Sequence, residues 1–145
     1  MANRLEWAIL PAVFLASAAW AAGPRPSLPE VPVADMRVVA PAEYGAAAAL
    51  AAGGSSPLDI ALKIVGEFQG ATQHIIQVNE GSEAPSASRV TVVRDGLLDD
   101  SVRGVRWDIA LEKTTAGVWK IVEAKRAWRC WRGGSTDRFA PVPCP

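Results

Sequence analysis

The chain has 145 residues, half of them hydrophobic and 21% charged, and its 15 Lys+Arg balance 15 Asp+Glu, which leaves room for one modest domain. Two cysteines and one histidine cannot complete a four-ligand zinc set or staple a multi-disulfide miniprotein. With no cysteine before Cys130, the chain lacks the acylation point of a lipoprotein.

At the N-terminus, Arg4 precedes an apolar run of 14 residues from Trp7 to Trp20, with small side chains at Ala19 and Ala21. A basic start, an apolar stretch and a small-x-small site predict a secretory signal peptide over 1–21, cleaved after Ala21. As a helix the run is about 21 Å long, short of a hydrocarbon core of ~30 Å. Glu6 weakens the positive start, so the alternative is an uncleaved N-terminal membrane tether. The expected address is exported, periplasmic or extracellular. In an oxidising compartment the two thiols pair, which predicts a structural Cys130–Cys144 disulfide. A catalytic cysteine would want a histidine partner, and His74 is the one candidate.

Residues 22–56 carry Pro24, Pro26, Pro29, Pro32 and Pro41 and then an alanine run, and are expected to form a Pro/Ala-rich tether. Ala42 to Ala52 has the composition of a short helix stopped by Gly53, and Val31 to Val39 is an alternative edge strand. The domain itself is placed at 57–145. Ser56-Pro57-Leu58-Asp59 offers a cap, a first-turn proline and a carboxylate three residues on. Leu58, Ala61, Leu62, Val65 and Phe68 continue it as one apolar stripe.

Strands follow at Gln73–Val78 and Arg89–Arg94, and then at Val105–Leu111, where Val105, Trp107, Ile109 and Leu111 alternate with Arg106, Asp108, Ala110 and Glu112. The last strand, Val118 to Arg132, slips phase, which calls for a bulge near Ile121 or Val122. One helix and a run of antiparallel strands predict an α+β fold with a curved antiparallel sheet around one amphipathic helix, cystatin-like or nuclear-transport-factor-2-like. Residues 22–100 hold 5 basic and 10 acidic side chains against 9 and 4 in 101–145, so pairing between the two halves is expected.

Gly96-Leu97-Leu98-Asp99-Asp100-Ser101-Val102-Arg103-Gly104-Val105-Arg106-Trp107 and Val118-Trp119-Lys120-Ile121-Val122-Glu123-Ala124, with Arg129-Cys130, Gly133-Gly134 and Cys144, resemble small uncharacterised bacterial secreted proteins. The resemblance covers residues 57–145 and implies a leader, one helix, an antiparallel sheet and a C-terminal cysteine pair. Those relatives place a tryptophan shortly before the last cysteine, where this chain has Phe139. No activity and no site residue come with it.

Two clusters carry chemistry. Asp99, Asp100 and Ser101 form a loop site of paired carboxylates or, more simply, a turn whose side chains bond their own backbone. Lys125, Arg126, Trp128, Arg129, Trp131 and Arg132 interleave cations with aromatics, the chemistry that holds an anionic glycan, a lipid headgroup or an acidic protein surface. Export removes nucleic acid as a partner; the simpler alternative is cross-strand pairing with the acidic half. No metal motif, cofactor motif or catalytic group emerges, and His74 stands alone in its strand. The expectation is a small exported, non-enzymatic binding or inhibitor-type module. The alternative is a small-ligand carrier or enzyme with a pocket between helix and sheet, recognisable by a cavity lined by Trp107 and a titratable group.

Overall fold

The computed structural model describes residues 31–47, 53–54, 56–81 and 83–145. The expected signal peptide and the tether before residue 31 lie outside these residues. Five strands, β1 (Arg37–Val38), β2 (Gly70–Glu80), β3 (Ala87–Leu97), β4 (Val102–Lys113) and β5 (Trp119–Cys130), form one sheet in the order β1-β5-β4-β3-β2, every neighbour antiparallel. Among the described residues one α-helix, α1 (Pro57–Val65), packs against β3 and β4. The fold is α+β.

The helix starts where the capping signal puts it. Ser56 is the N-cap with extended backbone, Pro57 fills the first turn, and the Asp59 N–H donates to Ser56 Oγ at 3.5 Å. It stops at Gly66, whose φ of 75° ends the helical path and whose N–H donates to the Leu62 carbonyl at 2.9 Å. Ile60 and Ala61 face the sheet, 2% and 0% exposed. Their bed is made by Val90 and Val92 on β3 and by Val105, Trp107, Ile109 and Leu111 on β4, the alternate residues that the period of two selects. Ala124 and Trp128 continue that face onto β5.

The phase slip in β5 is a bulge. Ala110 pairs with Glu123 and Leu111 with Ile121, so Val122 is left over and turns out to solvent, while Ile121 joins the core. A second shift falls between Val102 and Gly104, where Arg103 is the extra residue.

The sheet also takes up residues that precede position 57, where the domain was expected to begin. Arg37 and Val38 pair with Arg126 and Lys125, Val39 donates to the Ala124 carbonyl at 2.9 Å, and Val39 and Tyr44 are both buried in the main core. Residues 32–34 and 37–39 of the proline-rich stretch thus hydrogen-bond to β5 or to the segment that covers it, because extended chain fits a sheet edge as well as it fits water. Where Ala42–Ala52 was expected to be helical, a 3₁₀ helix runs over Pro41–Ala47; residues 48–52 are outside the described set.

The far end of β5 is covered by the C-terminus. Ala140 bridges Trp128, with N–H to O distances of 2.8 and 2.9 Å in the two directions, and Phe139 bridges Val33 in parallel. The Phe139 ring, 1% exposed, packs on Gly104, where a Cβ would stand 3.3 Å from the ring and 2.8 Å from the Arg94 carbonyl oxygen. Gly104 is thus required by close approach. Cys130 and Cys144 are disulfide-bonded with Cα atoms 5.6 Å apart, which pins this returning segment to the sheet. No helix among the described residues is long and apolar enough to cross a membrane.

Closing a loop of sequence separation 14 restricts the unfolded chain by about 3 kcal/mol. The double variant Cys130→Ala/Cys144→Ala is therefore expected to lose about 3 kcal/mol in a denaturant titration against the oxidised protein. An unchanged midpoint would show that Phe139 and the Ala140 bridge hold the C-terminus without the bond.

Candidate functional site

The nine residues of α1 are about 14 Å long, whereas the 12 residues of β4 extend over roughly 40 Å. The helix leaves part of the sheet face uncovered. Beyond its C-terminus lies an open cleft of about 250 Å³, lined by Val65, Glu67 and Gln69 after the helix, Leu97, Leu98 and Asp99 from the β3–β4 connection, and Arg94, Val105, Trp107 and Arg126 from the sheet.

Arg94 builds one wall. Its alternation on β3 points it to the helix face, where it is 6% exposed and has no carboxylate partner among the described residues. Instead its fork reaches the carbonyls at the helix end. Nη1 donates to Val65 O and Glu67 O at 3.0 Å each, Nη2 to Gly66 O at 2.6 Å, and Nε to Gln73 Oε1 at 2.8 Å. These are the orphan acceptors of a helix terminus, at the end whose dipole favours a cation. Phe68 lies over the guanidinium at 5.6 Å. Burial pulls the Arg94 pKa below its ordinary value, yet an arginine remains charged at neutral pH.

Arg126 builds the floor together with tryptophans. Trp107 on β4 is the register partner of Arg126 on β5, and Arg126 is the partner of Arg37 on β1. Like charges facing each other across strands repel, and the sequence answers with indole rings. The Arg126 guanidinium carbon sits 4.9 Å from the Trp107 ring centre and 4.7 Å from that of Trp128, and Arg37 stacks on Trp128 at 5.4 Å. Glu43, in the 3₁₀ helix, takes Arg37 in a two-pronged pair at 2.8 and 3.3 Å. Arg126 receives no such partner among the described residues, and its Nε is buried without an acceptor. Burial first, then the charge of Arg37, pull its pKa down, with Glu43 acting in the opposite sense.

Asp99 forms the rim. Its Oδ1 accepts from the backbone N–H of Ser101 at 2.8 Å and of Val102 at 2.6 Å, and these two bonds hold the carboxyl below the ordinary aspartate range. The loop site is a turn that bonds its own backbone. Asp100 points outward to Arg132 at 3.6 Å across an exposed gap, and no group of three or more metal-ligating side chains occurs among the described residues.

The basic–aromatic segment does not form one patch, because a strand sends alternate side chains to opposite faces. Arg126 and Trp128 lie on the helix face, and Trp128 is buried at 4% exposure. Lys125 and Arg129 lie on the other. There Arg129 Nη1 meets Asp95 Oδ2 at 3.1 Å and Lys125 meets Glu123 at 3.0 Å. Trp131 and Arg132 follow the strand, with Trp131 exposed and stacked by Arg103 at 5.0 Å. His74, on the edge strand β2, pairs in register with Val93 on the face away from the helix and from the cleft.

A second groove, about 370 Å³, runs along Val78, Glu80, Arg89, Ala110, Glu112 and Val122, but its charged side chains are exposed. The cleft at the helix end is the better candidate because the buried Arg94 and the partly buried Arg126 both line it. Sequence reasoning found Trp107 and Arg126 but not Arg94, Arg37 or Glu43. The available signal for Arg94 was a charged residue at an inward position of β3. No protein family, curated protein or solved structure matches this chain.

Replacing Arg94 by Lys keeps the charge but removes the fork that reaches three carbonyls and Gln73. Each buried group left unpaired costs about 1–3 kcal/mol, so Arg94→Lys is expected to lose at least about 2 kcal/mol in a denaturant titration. The exposed Arg89→Lys on the same strand is expected to change stability by less than about 0.5 kcal/mol. Equal effects would remove Arg94 from its role at the helix end.

Proposed function

We propose that the protein is a small exported, non-enzymatic binding domain that holds a small molecule in the cleft between the end of α1 and the sheet. The observation that carries this is the cleft itself, walled by buried Arg94 and floored by Trp107 and Arg126. Guanidiniums stay protonated throughout the physiological range, so they serve recognition and not proton transfer. The Asp99 oxygen that accepts is already committed to two backbone N–H groups. Of the two fold expectations, the nuclear-transport-factor-2-like one carries a pocket between helix and sheet, and the cleft supports it over the cystatin-like one. An inhibitor-type role through an exposed Trp128 and Trp131 face loses support, because Trp128 is buried.

Export belongs to the same proposal. The Cys130–Cys144 bond is what an oxidising compartment favours, and residues 1–21 have the order of a leader. Intact mass of protein recovered from an exporting bacterial host is expected to correspond to a chain starting at Ala22. Recovery of the chain from Met1 in the membrane fraction would replace this with the membrane-tethered reading.

Binding is tested by two-dimensional NMR of the oxidised chain titrated with small aromatic and aliphatic compounds of each charge type. The expected result is saturable movement of the Trp107 indole N–H and the Val105 amide by at least one charge type. If every type leaves both signals in place up to about 10 mM, beyond the millimolar affinity of weak ligands, the cleft is not a binding site.

A further inference from the structure

We infer that the cleft ligand is a small organic anion, with its acidic group on Arg126 and its apolar body against Val105, Leu97 and Val65. This rests on the cleft-binding reading above and names the ligand class for that site.

The charged groups around the cleft differ in what they already hold. Arg94 directs four of its five N–H donors to three carbonyls and Gln73. Arg37 is neutralised by Glu43, with two hydrogen bonds between them. Asp99 accepts two backbone N–H groups. Arg126 alone among these has no hydrogen-bonded or ion-paired partner among the described residues, although its Nε is fully screened from solvent. Trp107 and Trp128 fix its orientation through their ring faces, 4.9 and 4.7 Å from the guanidinium carbon, without supplying any acceptor. The result is a pre-oriented cation with free donors at a cleft floor.

A guanidinium offers two parallel N–H groups that match the two oxygens of a carboxylate or of a phosphate or sulfate ester. A ligand oxygen there also gains from the second cation, Arg94, in the same wall, since both charges act through a partly dry interior. Val65, Leu97, Leu98 and Val105 supply the apolar part of the lining, beside the polar Glu67, Gln69 and Asp99. Such a surface favours a ligand with a ring or short aliphatic body over a bare inorganic ion. At about 250 Å³ the cleft falls below the ~300–1,000 Å³ of drug-sized pockets, which restricts the body to roughly one ring. Glu67 and Asp99, both exposed at the mouth, repel large polyanions while leaving a single acidic group free to reach the floor.

The test is calorimetric titration of the oxidised chain with benzoate, phenyl phosphate, inorganic phosphate, benzamide and benzamidine. Benzoate or phenyl phosphate is expected to bind at least about tenfold tighter than neutral benzamide, the margin a charge-assisted pair provides. The stronger of the two tells carboxylate from phosphate ester. In Arg126→Gln that margin is expected to fall below about twofold, and Arg126→Lys to restore part of it as a point charge. In the unmodified protein the Arg126 Nε–H resonance is expected to move on adding benzoate and to stay in place with benzamide, a readout that does not depend on any variant folding. Benzamide binding as tightly as benzoate in the cleft overturns the anion assignment while leaving cleft binding intact. Inorganic phosphate binding as tightly as phenyl phosphate overturns the organic body. If no probe binds, the inference and the reading beneath it fall together.

Discussion

A buried cation at the end of a short helix sets the layout of this domain. α1 has two and a half turns, too few to be stable alone, so its position depends on what holds its ends. Ser56 and Pro57 secure the start by local chemistry. The finish is secured from the sheet, where Arg94 gathers the carbonyls of Val65, Gly66 and Glu67. A lysine could satisfy one or two of them, and an apolar residue none. Because those carbonyls are at the negative end of the helix dipole, the charge of Arg94 is compensated without a carboxylate. The cleft follows from the same bond set: it opens where the helix has been made to stop.

On the other face of the sheet a second charge centre ties the two halves of the chain. Asp95, near the end of β3, accepts Arg129 from β5 at 3.1 Å and lies 3.5 Å from Arg103 Nε, close enough for ion pairing but without hydrogen-bond geometry. Arg129 also donates from Nε to the Thr136 carbonyl, which brings the loop before Phe139 into the same knot. Nearby, Thr91 and Arg106 both reach Asp108. The division of charge along the sequence is thus used inside the fold, with the acidic half supplying Asp95 and the basic half its two arginines. Being only partly exposed, these pairs are screened less by salt than the surface pair of Arg138 with Asp137.

What the sequence makes legible here is local. Cap, first-turn proline and apolar stripe locate α1; alternation locates the buried face of β4; a slipped phase locates the bulge at Val122. What escapes it is the pairing of distant residues. Arg94 serves carbonyls 27 to 29 positions earlier, and no local pattern marks an inward arginine as a helix cap. The prolines before residue 41 suggest solvated chain, although β1 and residues 32–34 find hydrogen-bond partners at the sheet edge. The run from Lys125 to Arg132 misleads for a geometric reason: contiguity in sequence reads as one patch, whereas the pleat deals its members to two faces.

The stack of Arg37, Trp128, Arg126 and Trp107 bears on why the cleft is open at all. A strand pair that placed two arginines opposite each other would gain stability by exchanging one for an aliphatic residue, since a cation in a partly dry site is held at a cost of desolvation. Glu43 offsets that cost for Arg37 by direct hydrogen bonds, and for Arg126 only through its charge at a distance. For Arg126 the rings compensate in part, through their quadrupoles, and they leave its hydrogen-bond donors unused. Departures of this kind from the most stable arrangement concentrate where a protein recognises something, because a group satisfied internally has little left to offer a ligand. Arg94 and Arg126 illustrate the two outcomes side by side in one cleft: the first is spent on the fold, and the second is oriented by the fold and left available.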